Sequence, residues 1–438
     1  MTRNARAAKS IYASASSKRS SFALFQGPKE IVAPRVMLLA SVAILTLIGI
    51  LMIFSASYIK AMSLGTSITS YMVSQVAYAV LGIAVCFVMV RVFPYKVWLG
   101  RWLDILWVAM LLLLVAVALF GVAAKGAVRW LVLGPISFQP SEFAKVVFLL
   151  MMARIMYQAQ SGNKDGGSLG VQFGVYIVAP LLLVFFSQSD LGTTLICAVG
   201  LFTVAWLADY DLKALILIVV VLFILGVLAV TVRDFRSSRL NWLNPEADYY
   251  GSGYQLTRSL WAFGEGGLFG VGFGNSTEKY NLLPEIETDF IFAIIGEEFG
   301  LVGCLVVLAL FIVLLKAGID IARNAPDKFG AMVAGSCTSM LVFQAFLNMS
   351  CVIGLLPTTG KPLPFISSGG SSLIASFLLV GIILSVSFAS QGDSDVYQRR
   401  RENFEVLSNG ETRSLGSYTS GGSRTSTRAK SRHISRKR

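Results

Sequence analysis

The sequence predicts an all-α polytopic membrane protein with ten transmembrane helices and a long extracytoplasmic loop between helices 7 and 8. Three observations carry that prediction. Of 438 residues, 55% are hydrophobic and only 14% charged. Apolar runs recur at about 20 residues, the length that crosses a bilayer as a helix. The net charge of +13 is not spread over the chain. Residues 1–35 carry seven Lys/Arg against one Glu, and residues 391–438 carry eleven against five Asp/Glu, so each tail is +6 and the core between them is near +1. Basic tails beside apolar spans fit the positive-inside rule and attraction to anionic membrane lipid. They do not form the basic folded surface that nucleic-acid binding requires, so no nucleic-acid partner is expected.

Residues 1–35 are rich in Ser, Ala, Lys and Arg and lack the apolar core of a cleaved signal peptide, so they read as a disordered basic cytoplasmic tail. Residues 36–390 form the membrane domain, and 391–438 a second disordered basic cytoplasmic tail. The expected spans are 36–57, 71–92, 102–122, 141–158, 172–188, 191–208, 212–232, 290–316, 328–355 and 371–390. The pair 172–188 and 191–208 must turn tightly at Gln188-Ser189-Asp190. With the N-terminus inside, the inner short loops hold nine Lys/Arg and the outer ones four: Lys60, Lys125, Arg129 and Lys361. That asymmetry places both termini in the cytoplasm.

Three outward stretches depart from ordinary loop composition. The first, 124–145, mixes Lys125, Arg129 and Trp130 with Gly134-Pro135 and Gln139-Pro140, then starts a helix at Ser141. Glu142 and Lys145 are three apart and share one helix face, either as a self-satisfied ion pair or as part of a polar cavity. The second, 233–289, carries Arg258 among aromatic residues and then the Gly-rich GEGGLFGVGFGNS. Such a segment suits headgroup level, and its glycines allow close backbone approach. The third, GLLPTTGKPLPFISSGGSS at 354–372, breaks an apolar run with prolines and glycines. Non-helical backbone at membrane depth needs protein or a wet cavity around it, so this reads as a re-entrant segment lining a site.

The five cysteines all lie in apolar segments and form no CxxC, so they read as small core residues. The one histidine, His433, is in the C-terminal tail, which excludes histidine acid–base chemistry and His-ligated metals from the core. Acids concentrate instead at PEIETDF: Glu285, Glu287 and Asp289 just before an apolar helix, with Glu297 and Glu298 two turns further in. A carboxylate at a membrane helix start faces a wet cavity or a partner, and the helix N-terminus favours its charge. The trio can also bind Mg²⁺ or Mn²⁺. Glu297 and Glu298 read as neutralised inside the bundle.

In their order, GAVRWLVLGPISFQPSEFAK, YQLTRSLWAFGEGGLFGVGFGNS, LLPEIETDFIFAIIGEEFG and GLLPTTGKPLPFISSGGSS resemble the SEDS family of cell-wall proteins over about 36–390. The wording is more similar to the family's division branch (FtsW) than to its elongation branch (RodA). The resemblance implies a ten-helix peptidoglycan glycosyltransferase that polymerises lipid II on the outer face of the membrane. It also implies a class B penicillin-binding protein as partner, other divisome membrane proteins, and a place at the septum. It matches Asp289 to the family's catalytic aspartate, and Arg129, Trp130 and Lys145 to other functional positions. The family's usual His is Glu287 here, and its usual Tyr before the Gly-Gly pair is Ser368. Glu287 would add a like charge near Asp289 if both faced one cavity.

Glycosyl transfer needs a base for the attacking hydroxyl and cations for the pyrophosphate leaving group. Asp289 is the candidate catalytic base. Arg129, Trp130, Glu142, Lys145, Arg258, Glu285, Lys361 and Ser367 are the candidate substrate-binding residues, and no residue is assigned to a metal. The competing function is a lipid II flippase, which would place polar gates on both sides of the membrane. The same polymerase acting in elongation is the other alternative.

Overall fold

In the computed structural model, the described residues are 27–124, 127–133, 136–160, 166–188, 190–210, 253–280 and 282–408. The expected span 212–232 and most of both tails lie outside them. The chain clusters into two units, residues 1–394 and 395–438; the packing and the site described below belong to the first.

The described chain is helical at nine of the ten expected spans. The helices are α1 (Lys29–Ser63), α2 (Ser70–Arg91), α3 (Trp102–Phe120), α4 (Pro140–Gln160), α5 (Gly166–Phe173), α6 (Ala179–Ser187), α7 (Leu191–Leu207), α8 (Tyr254–Gly266), α9 (Ile291–Arg323), α10 (Lys328–Val352) and α11 (Gly370–Ser408). A π-helical turn at Gly174–Val178 joins α5 to α6. Among the described residues, seven helices or helix pairs are long and apolar enough to cross a membrane, and α7 is a shorter apolar helix. Helix α11 runs on to Ser408, beyond the expected end of the span at 390.

Burial sorts these helices into layers. Along α2 only Gln75, Ala79 and Gly82 are buried, so most of this apolar helix faces outward. Helix α4 is buried almost from end to end, and α10 nearly so. A helix apolar all round belongs in a core or in lipid, and here both cases occur. Helix α9 packs on α1 and α10, and α10 packs in turn on α7 and α4.

Two irregular features shape one end of this bundle. The first is a three-stranded antiparallel sheet, β1 (Val122–Ala124), β2 (Ala127–Leu133) and β3 (Ile136–Phe138), in the order β1-β2-β3. A helix-length reading gives no strand here. The local signal is the run VRWLVL, whose branched and aromatic side chains favour a pleated surface. The second is a break in α9 at Gly300, where φ is 64° and ψ is −162°. A side chain would be strained there. The Gly-rich segment repairs the break: Val271 and Gly272 N–H donate to the carbonyls of Glu297 and Glu298 at 2.9 and 3.1 Å, and Leu301 and Val302 N–H donate to those of Gly267 and Leu268 at 2.9 and 3.2 Å. An interrupted membrane helix is tolerable when its freed backbone groups are satisfied in this way.

Candidate active site

The Glu142–Lys145 spacing produces the pair it implies. Lys145 Nζ donates to Glu142 Oε2 at 2.7 Å, and both side chains are 1% exposed. The pair is not self-contained. Lys361, from the Pro-rich segment between α10 and α11, reaches Glu142 at 3.4 Å and Asp190 at 2.8 Å. Asp190 caps α7, accepting from Thr193 N–H at 3.0 Å and from Thr193 Oγ1 at 2.9 Å. Arg129, half-buried on β2, donates from Nε to the Gln188 carbonyl at 3.1 Å. Trp130, its neighbour in the strand, lies on the opposite face of β2.

Three cations and two anions therefore meet where β2, α4, α7 and the Pro-rich segment converge, leaving a net charge of about +1 by formal counting. Burial opposes the charge on Asp190, but Lys361 and Arg129 outweigh it and hold the carboxyl well below the usual carboxylate range. Burial likewise works to lower Lys361, but Asp190 and Glu142 prevail and hold its ammonium above the usual lysine value. Helix α7 lies so close that a Cβ at Gly192 would stand 2.5 Å from Lys361 Cγ.

Asp289 sits beside this network, half-buried, in the turn that leads into α9. Its backbone carbonyl accepts from Asn348 Nδ2 at 2.8 Å, and the same Nδ2 donates to the Lys361 carbonyl at 2.8 Å. A Cβ built on Gly360 would lie 3.5 Å from Asp289 Oδ2, so the Pro-rich segment approaches the carboxylate directly. Ser367 organises that segment: its Oγ accepts from Leu363 N–H at 2.8 Å, and its carbonyl accepts from buried Gln75 at 3.3 Å. Two non-glycine residues hold left-handed backbone here, Glu285 with φ 59° and Phe365 with φ 67°. Such conformations cost about 1–3 kcal/mol each and persist only where surrounding structure enforces them.

Other candidates are engaged differently. Glu285 forms the turn before α9, accepting from Thr288 Oγ1 at 2.9 Å. Glu287 pairs with Lys60 of α1, so its charge is answered by a cation. The two positions that depart from the family wording meet each other, since Ser368 N–H donates to the Glu287 carbonyl at 2.7 Å. Arg258 belongs to a separate cluster, with Nε 2.9 Å from Glu278 Oε2 and its guanidinium over Trp261. Burial, only partly offset by Arg258, pushes Glu278 up to about 7. Glu297 and Glu298 are held by hydrogen bonds within the fold: Glu297 takes Ser276 Oγ and the Thr277 and Glu278 N–H groups, and Glu298 takes Ser55 Oγ and lies 3.9 Å from Lys279 Nζ. Among the described residues, no grouping of three or more His, Cys, Asp or Glu side chains can hold a metal ion. Glu287 of the acidic trio is engaged by Lys60, and no step below is routed through a metal.

Sequence reasoning missed Asp190, Gln188, Gln344 and Asn348. Asp190 had a signal, an acid in a tight turn between two apolar segments. Gln344 and Asn348 had another, two carboxamides four residues apart inside an apolar span.

Fold and site together define a polytopic helical membrane protein with a buried charged site where a short sheet, packed helices and a Pro-rich segment meet. A family model described as a cell cycle protein, FtsW/RodA/SpoVE, matches residues 35–392, and the chain belongs to that family. It is 39% identical over 363 residues to a probable peptidoglycan glycosyltransferase FtsW of Geobacter metallireducens, covering 82% of this chain and 95% of the relative. It is 38% identical to the peptidoglycan glycosyltransferase MrdB of Escherichia coli strain K12, covering 77% and 90%. Its fold matches a chain from a solved structure on the coordination of polymerization and crosslinking by a peptidoglycan synthase complex, with a TM-score of 0.65, 26% identity and coverage of 81% and 97%.

Proposed function

We propose that this protein is a peptidoglycan glycosyltransferase that polymerises lipid II into glycan strands at the outer face of the cytoplasmic membrane, in septal wall synthesis. The observation that carries the reading is the placement of Asp289: a half-buried carboxylate held beside a buried, net cationic network. Relatives bearing that activity in their names, at 38–39% identity, support it.

In this reading the acceptor sugar hydroxyl gives its proton to Asp289 as its oxygen attacks the donor's anomeric carbon. The bond from that carbon to the phosphate oxygen breaks, and the electron pair leaves on the pyrophosphate. Attack opposite the leaving group inverts the anomeric carbon. Lys145, Lys361 and Arg129 are the cations of the network, and in this reading their net positive field stabilises the pyrophosphate. Arg258, held by Glu278, contributes at the outer loop rather than within the network. Trp130 offers an apolar face at headgroup level.

The rest of the reading is organisational. The membrane domain, 36–390, has ten spans with 212–232 as the seventh, lies between basic cytoplasmic tails at 1–35 and 391–438, and carries its long loop outside. Cysteines introduced at Ser67 and Thr277, both exposed, should react with an impermeant reagent without permeabilisation; reaction only afterwards would invert this topology. A class B penicillin-binding protein is the proposed partner, in keeping with the synthase-complex neighbour, alongside other divisome membrane proteins. Purified protein with labelled lipid II tests the function itself. Glycan chains support polymerisation, and leaflet exchange without chains would identify a flippase instead.

A further inference from the structure

Helix α10 presents two carboxamides one turn apart, and each ties the Pro-rich segment to a different half of the site. Gln344 Oε1 accepts from Lys145 Nζ at 2.7 Å, while Gln344 Nε2 donates to the Pro362 carbonyl at 3.0 Å and to Ser372 Oγ at 3.4 Å. Asn348 Nδ2 donates to the carbonyls of Asp289 and Lys361, each at 2.8 Å. Consecutive carbonyls of one segment, at 361 and 362, are thus held by residues four apart on one helix face. The other ends of these contacts lie on α4 and on the turn before α9. Both side chains are buried, Gln344 at 1% exposed and Asn348 at 2%.

Buried carboxamides with this pattern are more than filler. A side-chain amide in an apolar span is costly unless hydrogen-bonded. Leu or Met would fill the same volume without that cost. What the two amides add is a fixed distance. Lys145 is on α4, Asp289 precedes α9, and Lys361 is in irregular backbone between α10 and α11. Helix α10, largely buried, touches all three through polar contacts.

We propose that Gln344 and Asn348 are positioning residues that set the separation of Asp289 from the Lys145–Lys361 cations, so that base and leaving-group stabiliser act on one substrate at the same time. This rests on Asp289 being the base. Neither carboxamide needs to touch substrate. Their effect is on geometry, where a misplacement of about 1 Å can cost around a hundredfold in rate.

The test is steady-state polymerisation of labelled lipid II by the full-length protein in lipid nanodiscs, comparing Asn348→Ala, Gln344→Glu and Asp289→Asn. Gln344→Glu keeps the acceptor for Lys145 and removes donation to Pro362 and Ser372. For both carboxamide variants kcat should fall about tenfold to a hundredfold with KM for lipid II nearly unchanged, the pattern of an interaction that matters only in the transition state. A merely structural role would lower the yield of folded protein and leave its specific kcat alone. If Asp289→Asn is inactive while either folded carboxamide variant keeps wild-type kcat, or raises KM alone, the positioning role is overturned and the base stands. If Asp289→Asn polymerises normally, the base assignment fails first. Should Asn348→Ala not insert, Gln344→Glu decides the matter alone.

Discussion

Replacing Lys361 with Met tests whether the ion network is dry. The ammonium stands 2.8 Å from Asp190 and 3.4 Å from Glu142, and all three side chains are at most 1% exposed. Removing one partner of a buried ion pair costs about 3–5 kcal/mol, because the stranded charge has no water to return to. Two features bring the value toward the lower end. Glu142 retains Lys145 at 2.7 Å, and Asp190 retains two donors from Thr193. The expected loss is therefore about 3 kcal/mol. It is measurable by equilibrium unfolding in mixed micelles with increasing SDS. The double variant Asp190→Asn, Lys361→Met removes a charge of each sign and should recover a large part of that loss. A loss under about 1 kcal/mol for Lys361→Met, the worth of a solvated surface pair, would refute the reasoning. The network would then be hydrated, and its cations would be free to meet substrate directly.

Three other expectations follow from neighbouring geometry. Gly192→Ala puts a methyl 2.5 Å from Lys361 Cγ, so it should displace that lysine and lower polymerisation; a wild-type rate would show that the contact relaxes freely. Lys145→Ala should reduce kcat/KM by roughly 2–4 kcal/mol of transition-state stabilisation, the scale of one lost electrostatic donor, and an unchanged value would leave Lys145 as no more than the counterion of Glu142. Glu278 is pushed by burial from 4.5 up to about 7. The folded state therefore keeps a proton that the unfolded chain has lost, and stability falls as pH rises between those values. Glu278→Gln should flatten that fall in thermal unfolding compared at about pH 5 and about pH 8, and an unaltered slope would assign it to other groups.

The helices were legible because a bilayer imposes length and apolarity on each segment separately. Nothing comparable marks the short sheet at 122–138, where VRWLVL competes with membrane-like hydrophobicity over too few residues to decide. Within the site, legibility followed sequence distance. Glu142 and Lys145 were readable as a pair because three residues on a helix fix their geometry. Lys361 meets Glu142 across 219 residues, and Lys60 meets Glu287 across 227. Only the packed bundle makes those encounters. Glu287 shows the consequence: as a sequence neighbour of Asp289 it reads as a like charge in the same cavity, yet its carboxylate is spent on α1. Asn348 illustrates the reverse. It looks like an isolated polar residue in an apolar span, and its meaning comes from two backbone carbonyls that the fold brings to one amide.

The most direct measurement is the polymerisation rate of Asp289→Asn. The substitution keeps the shape of a half-buried side chain whose backbone is fixed by Asn348, so the protein should insert and still bind lipid II. It removes the group proposed to accept the hydroxyl proton, and a general base is worth about 10²–10⁴-fold. Purified Asp289→Asn should therefore bind labelled lipid II as wild type does and polymerise it slower by that factor, with Glu285→Gln and Glu287→Gln far less affected. Polymerisation by Asp289→Asn at near the wild-type rate, with Glu285→Gln inactive, would place the base four residues earlier. Near-normal rates in all three variants would contradict general-base catalysis at this site altogether.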